Sequence, residues 1–190
     1  MCLKVFEDDE GKIHFPILTT ELVPTGTWGA NLRSLLPPSG WNRLRKWCYE
    51  QAGHKCEICG QDGFSQNRKH AVEAHEVWSY DDIRHIQTLR GIQALCPLCH
   101  CVKHLGRSLK VGAARQVREH MQEVNGWDEH TQKMYEDFSF LVHRLRSRFR
   151  WTVEIDETLK EFLDMGVIKQ KDYDTAISRL KNGAYSEGKK

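Results

Sequence analysis

Residues 95–104 read Leu-Cys-Pro-Leu-Cys-His-Cys-Val-Lys-His, and this stretch combines two patterns of metal ligands. Cys96 and Cys99 form a Cys-x-x-Cys pair, and Cys56 and Cys59 form another upstream. Two thiolates at this spacing can bind one tetrahedral zinc ion, with Zn–S bonds of about 2.3 Å. The two pairs together predict a four-cysteine structural zinc site. Two redox motifs, or buried apolar cysteines, are the alternative interpretations.

The second pattern consists of histidines. His100 and His104 follow the second cysteine pair, and Pro97 suits the first turn of a helix. Residues four apart share one face of a helix, so both imidazoles can reach one ion. Residues 72–78 read as a short β segment that carries His75. We expect the zinc to hold these three histidines around a second divalent ion; the alternative is three unrelated polar or core histidines.

This arrangement resembles the HNH endonuclease family in its four-cysteine form. The resemblance rests on Cys56-x-x-Cys59-Gly60, on Glu73-Ala74-His75-Glu76-Val77 and on the stretch 95–104. It implies an α+β, mainly helical protein with a ββα-metal (His-Me finger) core stapled by a four-cysteine zinc. It also implies a DNA substrate and a catalytic Mg, Mn, Ni or Zn ion, besides the structural Zn.

The resemblance assigns roles residue by residue. His75, His100 and His104 match the family's metal ligands, and Glu76 stands where the family has its histidine base. The expected catalytic residues are therefore His75, Glu76 and His100. Three interpretations remain open for this departure: Glu76 acts as the base, His75 acts as the base with fewer protein ligands on the ion, or activity is lost. The family's middle Asn falls near Gly91, where this chain has no Asn.

Apolar residues at helical spacing occur both before and after this core. We predict helices over residues 41–53, 108–124 and 129–147, and a strand over 13–18. In the third helix Met134, Phe138, Leu141 and Leu145 lie in register at helical spacing. His85 and Asp81-Asp82 lie within ten residues of Glu76 and are possible extra ligands, although a surface loop is the simpler interpretation of His85.

Arginines alternate with other residues from the end of this helix onwards, at positions 144, 146, 148 and 150. Residues 100–150 contain 10 Lys and Arg against 6 Asp and Glu, a local charge of +4. Such a stripe can bind the DNA backbone without reading sequence. We predict nucleic-acid contacts from Arg144, Arg146, Arg148, Arg150 and Lys103. A solvated or intramolecularly paired face is the alternative.

Residues 156–182 form a separate pattern, Leu-Lys-x-Phe-Leu-x-x-Gly-x-Ile, followed by Tyr173. It resembles the SHOCT motif, a small C-terminal helical hairpin, and this resemblance implies oligomerisation or protein contact. A plain amphipathic hairpin packed on the core is the alternative. We expect an N-terminal wrapping segment and helix (1–52), a zinc-stapled core (53–106), a helical region (107–155), this hairpin (156–182) and a flexible tail (183–190).

The amino-acid composition excludes some classes of protein. The 190 residues are 39% hydrophobic and 28% charged, with a net charge of +2, which excludes a uniformly basic nucleic-acid binder. No apolar run is long enough to span a bilayer and no signal peptide is evident, so we expect a cytoplasmic protein of a bacterium or a phage-infected cell with no membrane partner. The expected function is a metal-dependent DNA endonuclease. The alternatives are a non-catalytic inhibitor or adaptor on an HNH scaffold, and a zinc-ribbon transcription or recombination factor.

Overall fold

A β-hairpin and the helix that follows it occupy the centre of the fold. The protein is described here from a computed structural model, which covers residues 6–7, 13–14 and 16–183. The chain is an α+β protein in which helices predominate, and the first two strands are β1 (Phe6–Glu7) and β2 (Ile13–His14). The predicted strand over 13–18 is therefore observed only at its start, and Cys2 and the tail beyond residue 183 lie outside the described residues.

The remaining elements follow in chain order. None of the described helices is long and apolar enough to cross a membrane. The elements are a short 3₁₀ helix (Thr25–Thr27), α1 (Leu32–Leu35), α2 (Pro38–Gln51), β3 (Glu73–Asp81), β4 (Ile86–Leu95), α3 (Pro97–Lys103), α4 (Leu105–Lys110), α5 (Ala114–Asn125), α6 (Glu129–Arg146), β5 (Thr152–Glu154), α7 (Asp156–Asp164) and α8 (Gln170–Lys181).

Strands β3, β4 and β5 form a three-stranded sheet with β4 in the middle. The pairing of β3 with β4 is antiparallel and places His75 opposite Gln93. The register shifts between Val77 and Trp78, so the hairpin carries an irregularity just beyond His75. Strand β5 pairs in parallel with the start of β4. Because α3 begins directly after β4, the hairpin carries His75 towards the helix with His100 and His104.

The buried apolar residues form two large clusters and a small third one around Cys48, Val72 and Ala94. The first packs α2, the sheet and the C-terminal helices together, with Leu44, Leu89 and Leu159 essentially inaccessible to solvent. The second lies around α3 and includes the cysteines, together with Val117 and Met121 of α5. Both cores are therefore built from segments that are far apart in the sequence.

The C-terminal helices α7 and α8 belong to the first core. Phe162 packs edge-on against Trp47 of α2, with ring centroids 5.7 Å apart. Thr158 donates a hydrogen bond from its hydroxyl to the Leu89 carbonyl at 2.8 Å, and Arg179 donates to carbonyls in and after α1. Residues 156–182 thus form two helices, as the sequence predicts, but they pack on the sheet instead of standing apart from it.

Two predicted helices differ from the observed ones. The single helix predicted over 108–124 is wrong: α4 ends at Lys110 and α5 begins at Ala114, because Gly112 takes a left-handed φ of 80° between them. Helix α2 starts at Pro38, whose fixed φ suits the first helical position, and Ser39 does not cap it.

Helix α6 is observed where the sequence predicts it, and the apolar residues in register lie on its exposed side. Met134, Phe138, Leu141 and Leu145 are 54%, 39%, 44% and 47% exposed. The helix instead buries Tyr135 and a polar network on its other side: Arg118 of α5 donates two hydrogen bonds to Glu136, at 2.7 and 2.8 Å. The apolar pattern correctly predicts a helix, and the side of it that faces the protein carries the paired carboxylate and guanidinium.

We expect Phe162→Ala to destabilise the protein by about 3–5 kcal/mol, because it leaves a cavity in the shared core. Met165→Ala, a change at an exposed residue at the end of α7, should cost less than about 0.5 kcal/mol. Chemical denaturation of both variants measures the difference. If Phe162→Ala costs no more than Met165→Ala, the C-terminal helices do not contribute to the core as described.

Candidate metal centres

The four cysteine thiols predicted to bind zinc converge. The Sγ atoms of Cys56, Cys59, Cys96 and Cys99 all lie within 4.8 Å of one another, and those of Cys59 and Cys96 are 3.6 Å apart. Tetrahedral zinc with bonds of about 2.3 Å requires sulfur atoms roughly 3.8 Å apart. This four-cysteine cluster is therefore consistent with a structural zinc site, and thiolates are the donors that such an ion favours.

Local hydrogen bonds place both halves of the four-cysteine cluster. In the loop after α2, the Gly60 N–H donates to the Cys56 carbonyl at 2.9 Å, and Gly60 supplies the left-handed φ of 73° that the tight turn requires. Glu57 joins this loop to β4, because its N–H donates to the Ala94 carbonyl at 3.0 Å. At the other half, Cys96 caps α3 and its Sγ accepts the Cys99 N–H at 3.4 Å.

His120 is a contact to the four-cysteine cluster that sequence reasoning missed. It lies on α5, is 3% exposed, and its Nε2 is 3.2 Å from the Cys99 Sγ. An imidazole N–H directed at a thiolate disperses the negative charge of a four-thiolate site, as outer-shell groups commonly do. No sequence pattern indicated this contact, since His120 lies 21 residues beyond Cys99 on another helix.

Three imidazoles converge next to the four-cysteine cluster. His75 extends from β3, His100 lies in α3 and His104 caps the end of that helix. One nitrogen of each lies within 4.8 Å of the others, and the Nε2 atoms of His100 and His104 are 3.1 Å apart. This histidine trio has the composition of a site for a divalent ion, since neutral imidazole is a common ligand of transition metals.

Two members of the histidine trio each contact a carboxylate. Nε2 of His75 lies 3.1 Å from Oε2 of Glu21, and Nδ1 of His100 contacts Glu73. The remaining nitrogen of His75, Nδ1, is buried and has no hydrogen-bond partner among the described residues. Metal-binding histidines characteristically direct one nitrogen at a carboxylate and the other at the ion. The orphaned Nδ1 of His75 fits that arrangement.

The electrostatics keep two of these imidazoles neutral. Burial, reinforced by the charge of His100, lowers the pKa of His75 to about 2. Burial likewise lowers the pKa of His104 to about 3. The hydrogen bond from His100 lowers the pKa of Glu73 to about 2, whereas burial raises the pKa of Glu21 to about 7. Lone pairs on His75 and His104 are thus available near neutral pH.

Glu21 reaches the histidine trio because the segment before α1 is tied to α3. The Glu21 N–H donates to the Lys103 carbonyl at 2.9 Å, and Glu21 Oε1 accepts the Trp78 N–H at 3.0 Å. Lys103 itself is partly buried and donates to the Thr19 hydroxyl at 3.1 Å. The Lys103 side chain therefore lies where the segment before α1 contacts α3. It differs in this from the exposed arginines with which it was predicted to contact nucleic acid.

Glu76 follows His75 in β3, but its side chain contacts the start of α1. Its Oε1 accepts the Leu32 N–H at 3.0 Å, and burial raises its pKa. The histidine trio and Glu76 nevertheless line one cavity of about 790 Å³. Arg33, Arg107 and Lys110 also line this cavity and give it positive charge. These three cations were not among the predicted site residues. Arg33 lies on α1 and the other two lie on α4, and only tertiary packing brings these helices to one cavity.

The four arginines predicted to contact nucleic acid differ in their surroundings. Arg146 donates to both carboxylate oxygens of Asp82, at 2.7 and 2.8 Å, and its guanidinium lies 4.2 Å from the centre of the Tyr80 ring. Its side chain is thus used within the protein. Arg144, Arg148 and Arg150 are exposed at the end of α6 and in the turn after it.

The possible extra ligands do not join the histidine trio. The ring of His85 stacks on Phe149, with centroids 4.2 Å apart. Asp81 accepts the N–H groups of Ile83 and Arg84 in the hairpin turn, and Asp82 pairs with Arg146. Of the predicted residues, His75, His100 and His104 come together, and His85 and the two aspartates do not.

Comparison of the chain with protein-family models, with curated proteins and with solved structures returned no match. The interpretation of both centres therefore depends on the geometry of this chain alone.

We expect the protein to retain a single tightly bound zinc ion after dialysis against a weak chelator. Cys99→Ser should lose it and unfold at lower temperature, because a structural zinc contributes folding free energy directly. Cys101→Ser is the matched control, since Cys101 lies outside the four-cysteine cluster. Zinc content by atomic emission and thermal melting provide the measurements. Equal zinc content in both variants would contradict the assignment.

His120→Phe should weaken zinc binding about 10- to 100-fold, as loss of an outer-shell partner typically does. His120→Gln keeps an N–H donor and should lose less. Competition with a chromophoric chelator measures both affinities. Two variants with the affinity of the original protein would show that the contact with Cys99 has no role in holding the ion.

Proposed function

We propose that the protein is a metal-dependent endonuclease of the HNH type that hydrolyses phosphodiester bonds in DNA. The observation that supports this most strongly is the convergence of His75, His100 and His104 beside a positively charged cavity. A strand and a helix supply these ligands in the order that the sequence resemblance predicts.

The two centres have different coordination chemistry. Four thiolates close the coordination sphere of a structural ion, whereas three imidazoles leave positions open for substrate oxygens and water. A divalent ion bound there would stabilise charge on a phosphate oxygen and on the leaving oxygen. Glu21 and Glu73 would orient the imidazoles of His75 and His100 through their other nitrogens.

Glu76 is our candidate for the general base. It lines the same cavity as the histidine trio, and burial raises its pKa towards the range in which a carboxylate accepts protons effectively. Its hydrogen bond from the Leu32 N–H fixes one carboxylate oxygen. As the base, this carboxylate would accept a proton from the attacking water.

The cations of the cavity suit the substrate. Arg33, Arg107 and Lys110 lie on its walls, where they can neutralise a phosphodiester backbone without reading bases. Arg144, Arg148 and Arg150 are exposed further along the surface and can extend this contact. We therefore expect DNA affinity to fall steeply with salt concentration.

One observation favours a non-catalytic binding protein as the second candidate. The Glu76 carboxylate is bound to a backbone N–H in a largely enclosed position, which is also what a purely structural residue would do. A binding protein of this kind would keep the zinc and bind its partner without cleaving DNA.

Plasmid nicking with Mg²⁺, Mn²⁺ or Ni²⁺ tests the proposal. His100→Ala should reduce the rate by at least about 100-fold, because removing a ligand displaces the ion. His85→Ala, which removes a histidine outside the trio, should cut at the normal rate. A folded, zinc-loaded protein that cuts DNA with none of these ions would refute the enzyme and leave the binding protein.

Glu76→Gln tests the base. Cleavage by the unmodified protein should increase with pH through the raised pKa of Glu76 and then level off, because the base must be ionised. Glu76→Gln should lose about 100-fold or more in rate and abolish this dependence. Glu21→Gln is the comparison: it should weaken metal binding while keeping the pH dependence. If Glu76→Gln cuts normally, another group is the base.

A further inference from the structure

Trp28 is a large aromatic side chain exposed on the wall of the candidate metal centre. It directly follows the short 3₁₀ helix, is 59% exposed, and lines the cavity that contains the histidine trio. Its indole N–H donates to the Val23 carbonyl at 2.9 Å, so the one polar atom of the ring is already satisfied. A ligand in the cavity would therefore contact Trp28 through the aromatic ring, by stacking or by apolar packing.

The cations around Trp28 are not neutralised within the protein. The Nζ atom of Lys110 lies 6.0 Å from the centre of the Trp28 ring. Arg33 and Arg107 line the same cavity, and all three cations are exposed. No carboxylate in the described part of the chain forms an ion pair with any of them. A flat ring that carries negative charge is the kind of ligand that these side chains fit.

The cavity is larger than a metal ion requires. Its volume is about 790 Å³, whereas each water molecule takes about 30 Å³. An ion with a few bound waters would therefore fill a minor part of it. Leu22, Trp41 and Phe140 add apolar surface to the walls. The remaining space thus suits an organic ligand with an apolar body.

We propose that this cavity binds an unpaired nucleotide of a DNA strand, with the base stacked on Trp28 and neighbouring phosphates at Arg33, Arg107 and Lys110. The substrate of the endonuclease proposed above, on which this inference rests, is then a single strand or the unpaired part of a duplex. A base inside a duplex is covered on both faces and cannot stack on the indole. Stacking accepts every base, so it selects unpaired strands without selecting a sequence.

The cavity fits a protein partner less well. Its carboxylates Glu21 and Glu76 already accept hydrogen bonds from the N–H groups of Trp78 and Leu32, so the cations dominate its exposed charge. An acidic peptide would satisfy these cations but would offer an aromatic ring only at occasional residues. Every nucleotide of a strand carries both a ring and a negative charge. A nucleic-acid strand therefore matches Trp28 and the three cations together.

Fluorescence anisotropy of a labelled oligonucleotide, with no divalent ion added so that no strand is cut, tests the stacking site. The protein should bind a strand that forms no hairpin at least about tenfold more tightly than a duplex of the same length. Trp28→Leu should weaken single-strand binding about 10- to 100-fold, whereas Trp28→Phe should keep most of it. Both variants lose the hydrogen bond to Val23, so the difference between them measures the contribution of the ring.

Phe64→Ala is the matched control. Phe64 is 62% exposed and lies outside the cavity, so its loss should leave binding unchanged. Circular dichroism and zinc content establish that the variants are folded.

The salt dependence of binding tests the phosphate contacts. For a single strand, the logarithm of the affinity falls with the logarithm of salt concentration, with a slope of about −0.7 per neutralised phosphate. Arg107→Gln and Lys110→Gln should each make this slope shallower by about 0.7. Lys160→Gln, which removes a cation paired with Asp156 outside the cavity, should leave it unchanged. An unchanged slope in both cavity variants would overturn the proposed contacts.

The stacking site and the endonuclease can be refuted independently. Equal affinity for single strand and duplex would overturn the stacking site even if plasmid is nicked, as would equal binding by Trp28→Leu and Trp28→Phe. Binding of single strands that depends on Trp28, in a protein that cuts DNA with none of the ions, would refute the enzyme and support the site. Negative supercoiling favours local unpairing, so a supercoiled plasmid still offers a substrate of this class.

Discussion

The four-cysteine cluster joins strand β4, helix α3 and the loop after α2 at one point. Cys96 and Cys99 lie at the junction of β4 and α3, and Cys56 and Cys59 lie in a loop that Glu57 attaches to the same strand. A zinc ion bound by all four would fix the angle between strand and helix. That angle determines whether His75, on the neighbouring strand, faces the two histidines of α3. The histidine trio is therefore a consequence of how the cysteines are joined.

The two centres use adjacent residues for different chemistry. Cys99 directs its thiol into the four-cysteine cluster, and His100, the next residue, directs its imidazole into the histidine trio. Helix α3 thus separates a closed thiolate site from an open imidazole site within one turn. Other segments complete both centres, since His120 reaches the cysteines from α5 and Glu21 reaches His75 from the segment before α1. Each of these contacts joins a core element to a potential metal ligand.

Sequence spacing predicted the parts of the site that are local. Cys-x-x-Cys pairs and a histidine pair four residues apart are readable because their geometry lies within one turn or one helix. The contacts of Glu21 with His75 and of His120 with Cys99 were not predicted. Tertiary packing forms both, and the spacing of residues in the sequence gives no information about it. Arg146 was predicted to face DNA, but Asp82 and Tyr80 engage it within the chain. On α6 the apolar spacing predicted the helix, but it did not predict the Arg118–Glu136 network, which joins the opposite side of the helix to α5.

We propose that the histidine trio binds a second divalent ion, distinct from the zinc expected at the four-cysteine cluster. Anomalous diffraction from crystals grown with Mn²⁺, recorded at the zinc and manganese absorption edges, shows which ion each centre holds. We predict zinc signal among the four cysteines and manganese signal among His75, His100 and His104. A peak at the cysteines alone, with His75 Nδ1 still without a partner in crystals saturated with Mn²⁺, would contradict the claim.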